Sequence, residues 1–140
     1  MIKHYQKIAV AIDFSKQSMK ALDRAILVAK DNDATIQLVN VVDTKSFGSI
    51  SAYDLNYAEQ LKQESLTKMD QLKNQVVAAG VPVVDVVVKE GSPKEILTDL
   101  SGVELLICGA TGANNLEKMV IGSVAESIVR LASCDVQLVR

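Results

Sequence analysis

Aliphatic runs alternate along the chain with stretches in which apolar positions recur every three or four residues, and polar or glycine-containing segments separate them. Lys7 to Ile12 is the first aliphatic run; it stops at Asp13-Phe14-Ser15, which predicts a strand ending in a polar turn. Ser15 is placed to cap the helix that follows. Met19, Leu22, Ala25, Ile26 and Ala29 form its apolar face, and Asp31-Asn32-Asp33 breaks it. Thr35 to Val42 predicts a second strand, and the polar segment from Asp43 to about Ala52, with Gly48, a mobile loop. From Asp54 to Ala79 the residues Leu55, Ala58, Leu61, Met69, Leu72, Val76 and Ala79 mark a long amphipathic helix that Gly80 and Pro82 terminate. Val81 to Val88 predicts a third strand. Ser92-Pro93-Lys94-Glu95 has the form of a capping box with proline at the first helical position, opening a short helix that ends near Gly102. Glu104 to Gly109 predicts the fourth strand. A second capping box, Ser123-Val124-Ala125-Glu126, opens a helix carrying Ile128, Leu131 and Ala132, and Asp135 to Val139 is the last strand.

Strands and helices therefore alternate throughout. That order implies an α/β fold: an open five-stranded parallel sheet with helices on both faces, in one domain spanning 1–140. Sheets of this kind bind ligands beyond the carboxyl ends of their strands, where strand order reverses. The places to look for function are Asp13, Val41 to Asp43, Glu90-Gly91 and the segment after Gly109.

Composition narrows the choice. Apolar residues make up 49% of the chain but aromatic ones only 4%, with no Trp, so the core is built from aliphatic side chains as a buried parallel sheet requires. Fifteen Lys and Arg oppose seventeen Asp and Glu with no basic block, which argues against nucleic acid as a partner. The longest uncharged stretch, Leu105 to Leu116, falls well short of the ~20 apolar residues of a membrane span. The first residues lack the apolar segment of a signal peptide, so a cytoplasmic location is expected. Cys108 and Cys134 are too few for a disulfide scaffold, and the single histidine, His4, reads as a surface residue.

Three of the seven glycines fall within fourteen residues: Gly109, Gly112 and Gly122, the last followed by Ser123. A predicted strand feeds this segment and a helix leaves it. Gly109 and Gly112 permit a tight turn and close approach of the backbone to a ligand. Gly122 and Ser123 place N–H groups at a helix N-terminus, which suits phosphate oxygens. The same residues also fit an ordinary turn followed by a helix cap, and Asp13 also fits a helix-capping role, although Ser15 can serve there.

The spacing Gly-x2-Gly-x9-Gly-Ser after a fourth strand, with Asp13 ending the first, resembles the universal stress protein family, in particular its ATP-binding branch, over essentially the whole chain. The resemblance implies strand order 3-2-1-4-5, as in adenine nucleotide alpha hydrolase-like folds, and ATP bound in the cleft between the first and fourth strands. It implies that Asp13 accepts hydrogen bonds from the ribose hydroxyls, that the Val41 backbone meets the adenine edge, and that Ala11 forms an adenine wall. Gly109 and Gly112 line the ribose and phosphate path, and the N–H groups of Gly122, Ser123 and Val124 hold the β- and γ-phosphates. Mg²⁺ or Mn²⁺ bridges phosphate oxygens. The implied protein is a cytoplasmic homodimer, pairing through Val136 to Val139, a stress-response module whose bound nucleotide changes a surface read by client proteins. Two positions depart from the family pattern: Thr111 stands where many relatives carry a basic or imidazole side chain, removing one phosphate contact, and Cys134-Asp135 replaces a frequent Cys-Pro.

Enzyme signatures are missing from the sequence. It contains no Walker Gly-x4-Gly-Lys-Ser/Thr, and the first strand is not followed by Gly-x-Gly-x-x-Gly or by the Ser-Gly-Gly-x-Asp-Ser loop of ATP pyrophosphatases. No general base is evident beside the expected γ-phosphate. Binding with at most slow hydrolysis is expected; the alternatives are an ATPase or autokinase using the same pocket, and a nucleotide-free interaction protein.

Overall fold

A computed structural model describes residues 4–43, 52–111 and 121–140. The elements run β1 (Lys7–Ala11), α1 (Lys16–Asn32), β2 (Thr35–Asp43), α2 (Ala52–Ala78), β3 (Val84–Gly91), α3 (Pro93–Thr98), β4 (Leu105–Gly109), α4 (Ser123–Leu131) and β5 (Asp135–Val139). The strands form one sheet in the order β3-β2-β1-β4-β5, with every neighbouring pair parallel. This is the expected α/β architecture and strand order, and it puts the reversal between β1 and β4.

Alternation along the strands divides the core between the two faces. Ile8 and Val10 of β1, Ile36 and Leu38 of β2, and Leu105 and Ile107 of β4 pack with Ala21, Leu22, Ala25 and Ala29 of α1 and Met69, Leu72 and Val76 of α2. The intervening residues Ala9, Val39, Leu106 and Cys108 pack with Leu97 of α3 and Ile128 of α4. Alanine at three of the five buried positions of α1 lets that helix lie close over β1 and β4. Each of the larger buried aliphatic side chains contributes about 1.5–3 kcal/mol by leaving water.

The helix ends follow local chemistry. Ser15 is the N-cap of α1, its Oγ accepting from Ser18 N–H at 3.1 Å, and Asp33 ends the helix in the left-handed conformation with its N–H on the Ala29 carbonyl. Ser92 caps α3 with Pro93 as its first residue, as the capping-box reading expects. The expected cap at Ser123 is corrected: the N-cap of α4 is Gly122, with no side-chain bond, and Ser123 is the first helical residue.

Three other expectations shift. β3 occupies Val84–Gly91 rather than Val81 to Val88, in register with β2 from Ile36↔Val84 to Asp43↔Gly91. Pro82 has no N–H for a ladder, and Lys89-Glu90, which interrupt the aliphatic pattern, are tolerated because β3 is an edge strand with solvent beside it. Leu131 is 68% exposed, because the buried side of α4 steps from Ile128 to the half-buried Ala132 rather than to Leu131. Ala79 lies past the end of α2 and is exposed.

Candidate functional site

At the carboxyl end of β1 the ladder continues one residue further, Ile12 N–H donating to the Val39 carbonyl at 2.8 Å, before the chain leaves the sheet. Asp13 follows and is exposed. Its Oδ1 accepts from the Ser15 N–H at 2.9 Å and from the Ser15 hydroxyl, while Oδ2 has no partner among the described residues. Ser18, buried in the first turn of α1, accepts from Asp13 N–H at 3.3 Å and donates its hydroxyl to the Ser15 carbonyl at 3.0 Å. Between Asp13 and Ser15, Phe14 adopts φ 64°, a left-handed conformation rare for an aromatic residue. The carboxylate is thus held by an Asx turn onto Ser15, one oxygen spent and one available; it does not cap α1, which Ser15 does.

Across the reversal point, β4 ends at Gly109. A Cβ built on Gly109 would lie 2.9 Å from Gln17 Cβ and 3.1 Å from the Gln17 carbonyl carbon, so the absent side chain is what lets the first turn of α1 cross β4 here. Gly109 therefore has a packing reason of its own, besides any ligand. Gln17 Oε1 is buried without a partner among the described residues. Ala110 N–H donates to the Val139 carbonyl at 2.8 Å, and Ala110 accepts from Gly122 N–H at 2.9 Å, which stitches the start of α4 to the end of β4. That bond corrects the expectation for one phosphate donor: the Gly122 N–H is already engaged. The next N–H groups, from Ser123 onward, belong to a helix N-terminus whose first donors have no intrahelical acceptor, and Gly122 brings no side chain to cap them. An anion is favoured there by those donors and by the helix dipole. Ser123 is exposed, and Gly122 and Thr111 are half-buried. Gly112 lies outside the described residues, as do the loop beyond Asp43 and the segment carrying Lys118 and Met119. Ile121, just before α4, is 47% exposed.

The remaining expected residues come together on one face of the sheet. Ala11, Val41 and Val124 are all half-buried against the cluster of Ala9, Val39, Leu106, Cys108 and Ile128. An apolar floor thus lies on the α3–α4 side, with the Asp13 turn after β1 and the α4 N-terminus after β4. Such a layout can seat a flat apolar ring while offering a carboxylate to hydroxyl donors and N–H groups to an anion. No group of three or more His, Cys, Asp or Glu among the described residues could hold a metal ion. Burial pushes the Cys108 thiol up to about 11, and Cys134 is also raised, mainly by burial, so neither favours a thiolate nucleophile.

Sequence reasoning missed Asn40. It is buried in β2, its Nδ2 donates to the Ile12 carbonyl at 2.8 Å, and its Oδ1 has no partner among the described residues. A single amide within the aliphatic run from Ile36 to Val42 was the available signal.

Residues 4–140 match the model of the universal stress protein family. The chain is 37% identical over 140 residues to a universal stress protein of Staphylococcus haemolyticus, covering 97% of this chain and 85% of that protein. The universal stress protein UspA of Lactobacillus plantarum superposes with a TM-score of 0.88 at 23% identity, covering 99% of this chain and 100% of that one. A universal stress protein solved in complex with cAMP has a TM-score of 0.74 at 24% identity, over 99% of each chain. An Arabidopsis thaliana family member solved with AMP bound has a TM-score of 0.67 at 20% identity, over 96% of this chain and 90% of that one.

Proposed function

We propose a function from one premise: the chain belongs to the universal stress protein family. In this reading it is an ATP-binding regulatory module of the stress response, holding the nucleotide beyond the carboxyl ends of β1 and β4. The observation that carries the reading is the convergence at the sheet's reversal point of an exposed carboxylate with one unspent oxygen, Asp13, and a helix N-terminus without a side-chain cap, Gly122 to Val124. Asp13 takes the ribose hydroxyls, and Ala11 and Val41 face the adenine. Gly109, Thr111 and Gly112 line the path to the phosphates, which meet the N–H groups of Ser123 and Val124. The relatives carrying cAMP and AMP support an adenine nucleotide as the ligand class. Mg²⁺ or Mn²⁺ enters on the phosphate oxygens rather than in a protein cage.

The module works in the cytoplasm as a homodimer paired along the edge of β5, where the half-buried Val136, Gln137 and Leu138 lie at one side of the sheet. Nucleotide binding alters a surface read by client proteins. Equilibrium dialysis with Mg-ATP tests the site: wild type binds, and Asp13→Ala weakens binding about tenfold, the worth of a hydrogen bond to a charged group. Absence of binding by wild type would leave a nucleotide-free interaction protein. Single-turnover incubation with labelled ATP returns intact nucleotide on this account; phosphate release on a cellular timescale would instead make the pocket that of a slow ATPase or autokinase.

A further inference from the structure

Asn40 occupies a place where an aliphatic side chain would suit the packing. Its strand neighbours on the same face, Ile36 and Leu38, are fully buried in the α1–α2 layer, and Asn40 itself is 5% exposed. Its buried Oδ1, without a partner among the described residues, has given up solvation with nothing in exchange. The other end of the amide is fully used: Nδ2 donates to the Ile12 carbonyl at 2.8 Å. Ile12 is therefore gripped twice by β2, its N–H by the Val39 backbone and its carbonyl by the Asn40 side chain. That peptide is the last fixed point before the chain enters the turn bearing Asp13.

The turn needs such a fixed point. Phe14 at φ 64° occupies a conformation that costs an aromatic residue energy and that persists only where its surroundings impose it. The surroundings converge on it from three elements. Asn40 holds the residue before Asp13; Ser15 and Ser18 at the head of α1 bond Asp13 from the other side; and Lys68 of α2 places its Nζ 5.0 Å from the centre of the Phe14 ring.

We infer that Asn40 is a positioning residue for Asp13: by pinning the Ile12 carbonyl from inside the sheet it imposes the strained Asp13-Phe14-Ser15 turn, and so fixes the carboxylate that discriminates a ribose. The ribose part rests on the function proposed above. The turn-holding part stands on the hydrogen bonds alone.

Two variants test it. Asn40→Leu keeps the branched outline and removes the grip; Phe14→Gly keeps the grip and removes the need for it, since glycine adopts positive φ freely. The first measurement is the affinity ratio of ATP to 2′,3′-dideoxy-ATP. Wild type favours ATP about tenfold or more, as the loss of hydrogen bonds to a carboxylate requires. In Asn40→Leu the ratio falls towards one while the dideoxy nucleotide binds as before; in Phe14→Gly it stays as in wild type, and adding Phe14→Gly to Asn40→Leu restores it. A general loss of structure would weaken both ligands together. The second measurement needs no nucleotide: exchange of the Ser15 amide, protected in wild type by Asp13 Oδ1, speeds up about tenfold in Asn40→Leu. An Asn40→Leu protein that melts cooperatively yet keeps both the nucleotide ratio and the Ser15 protection overturns the inference. Loss of Ser15 protection with no ATP binding by wild type upholds the turn-holding device and overturns the nucleotide reading instead. Should Asn40→Leu fail to fold, Asn40→Ala, which also lacks the Nδ2 donor, decides: an ATP preference retained overturns the inference, and one lost while the dideoxy nucleotide still binds upholds it.

Discussion

The two ends of the sheet are both polar, and they use their polar groups in opposite ways. Where the strands begin, bonds close on themselves. Glu104 accepts from the N–H groups of Gln6 and Lys7 and donates its own N–H to the Lys7 carbonyl, Thr35 N–H meets the Gln6 carbonyl, and Tyr5 donates its hydroxyl to Asp135 at 2.6 Å. That hydrogen bond is also the main reason the Tyr5 pKa is raised. Where the strands end, capacity is left over. Among the described residues Asp13 Oδ2, Asn40 Oδ1 and Gln17 Oε1 lack partners, Phe14 is strained, and α4 starts without a side-chain cap. A fold stabilised for its own sake would spend those groups as the first end does. Unspent donors, unspent acceptors and tolerated strain gathered at one end support placing the proposed ligand site there.

Glycine substitutions give the largest contrast between the two ends. Gly109→Val, at the carboxyl end, drives a branched side chain into Gln17 and should cost more than about 3 kcal/mol in denaturant titration, because α1 must move off β4. Gly102→Ala, just before β4 begins, meets no atom within 4 Å and carries only the penalty of φ 74°, about 1 kcal/mol. Equal costs would show that crowding is not special to the ligand end.

A smaller contrast comes from the thiols. Cys108 lies near the carboxyl end of β4 with its pKa pushed from an ordinary 9.0 up to about 11 by burial. The unfolded chain releases this proton at lower pH than the folded one. Stability is therefore intact below pH 9 and falls as the pH climbs towards about 11, by up to about 3 kcal/mol. Cys108→Val should flatten that slope in alkaline melting curves, whereas replacing the less buried Cys134, beside the start of β5, should flatten it less.

Much of the fold could be read from residue order alone. The aliphatic runs at Lys7 to Ile12 and Glu104 to Gly109 are central strands covered on both faces, where only apolar side chains serve, and the pattern there is unmistakable. β3 slipped by three residues because an edge strand tolerates Lys89 and Glu90, so burial no longer marks its end. Ser123 matched a capping box, yet Gly122 takes the cap because its N–H is drawn to Ala110, a contact between segments that no local motif encodes. Within the candidate site, Asp13 and Val41 could be named from their place at strand ends, whereas Ala11 came only with the family resemblance. Asn40 acts across to β1 through a neighbour relation fixed only when the sheet forms. Phe14 runs against its own propensity, so propensity could not point to it.

The most direct test of the claim that the carboxyl end is the ligand end is an amide NMR titration of the full chain with Mg-ATP. The account predicts that shifts concentrate in residues 11–18, 39–43, 109–111 and 122–125. Amides of Tyr5 to Lys7, of Glu104 and of Asp135 should stay in place. Shifts centred on that second group, or none anywhere at saturating nucleotide, would contradict it.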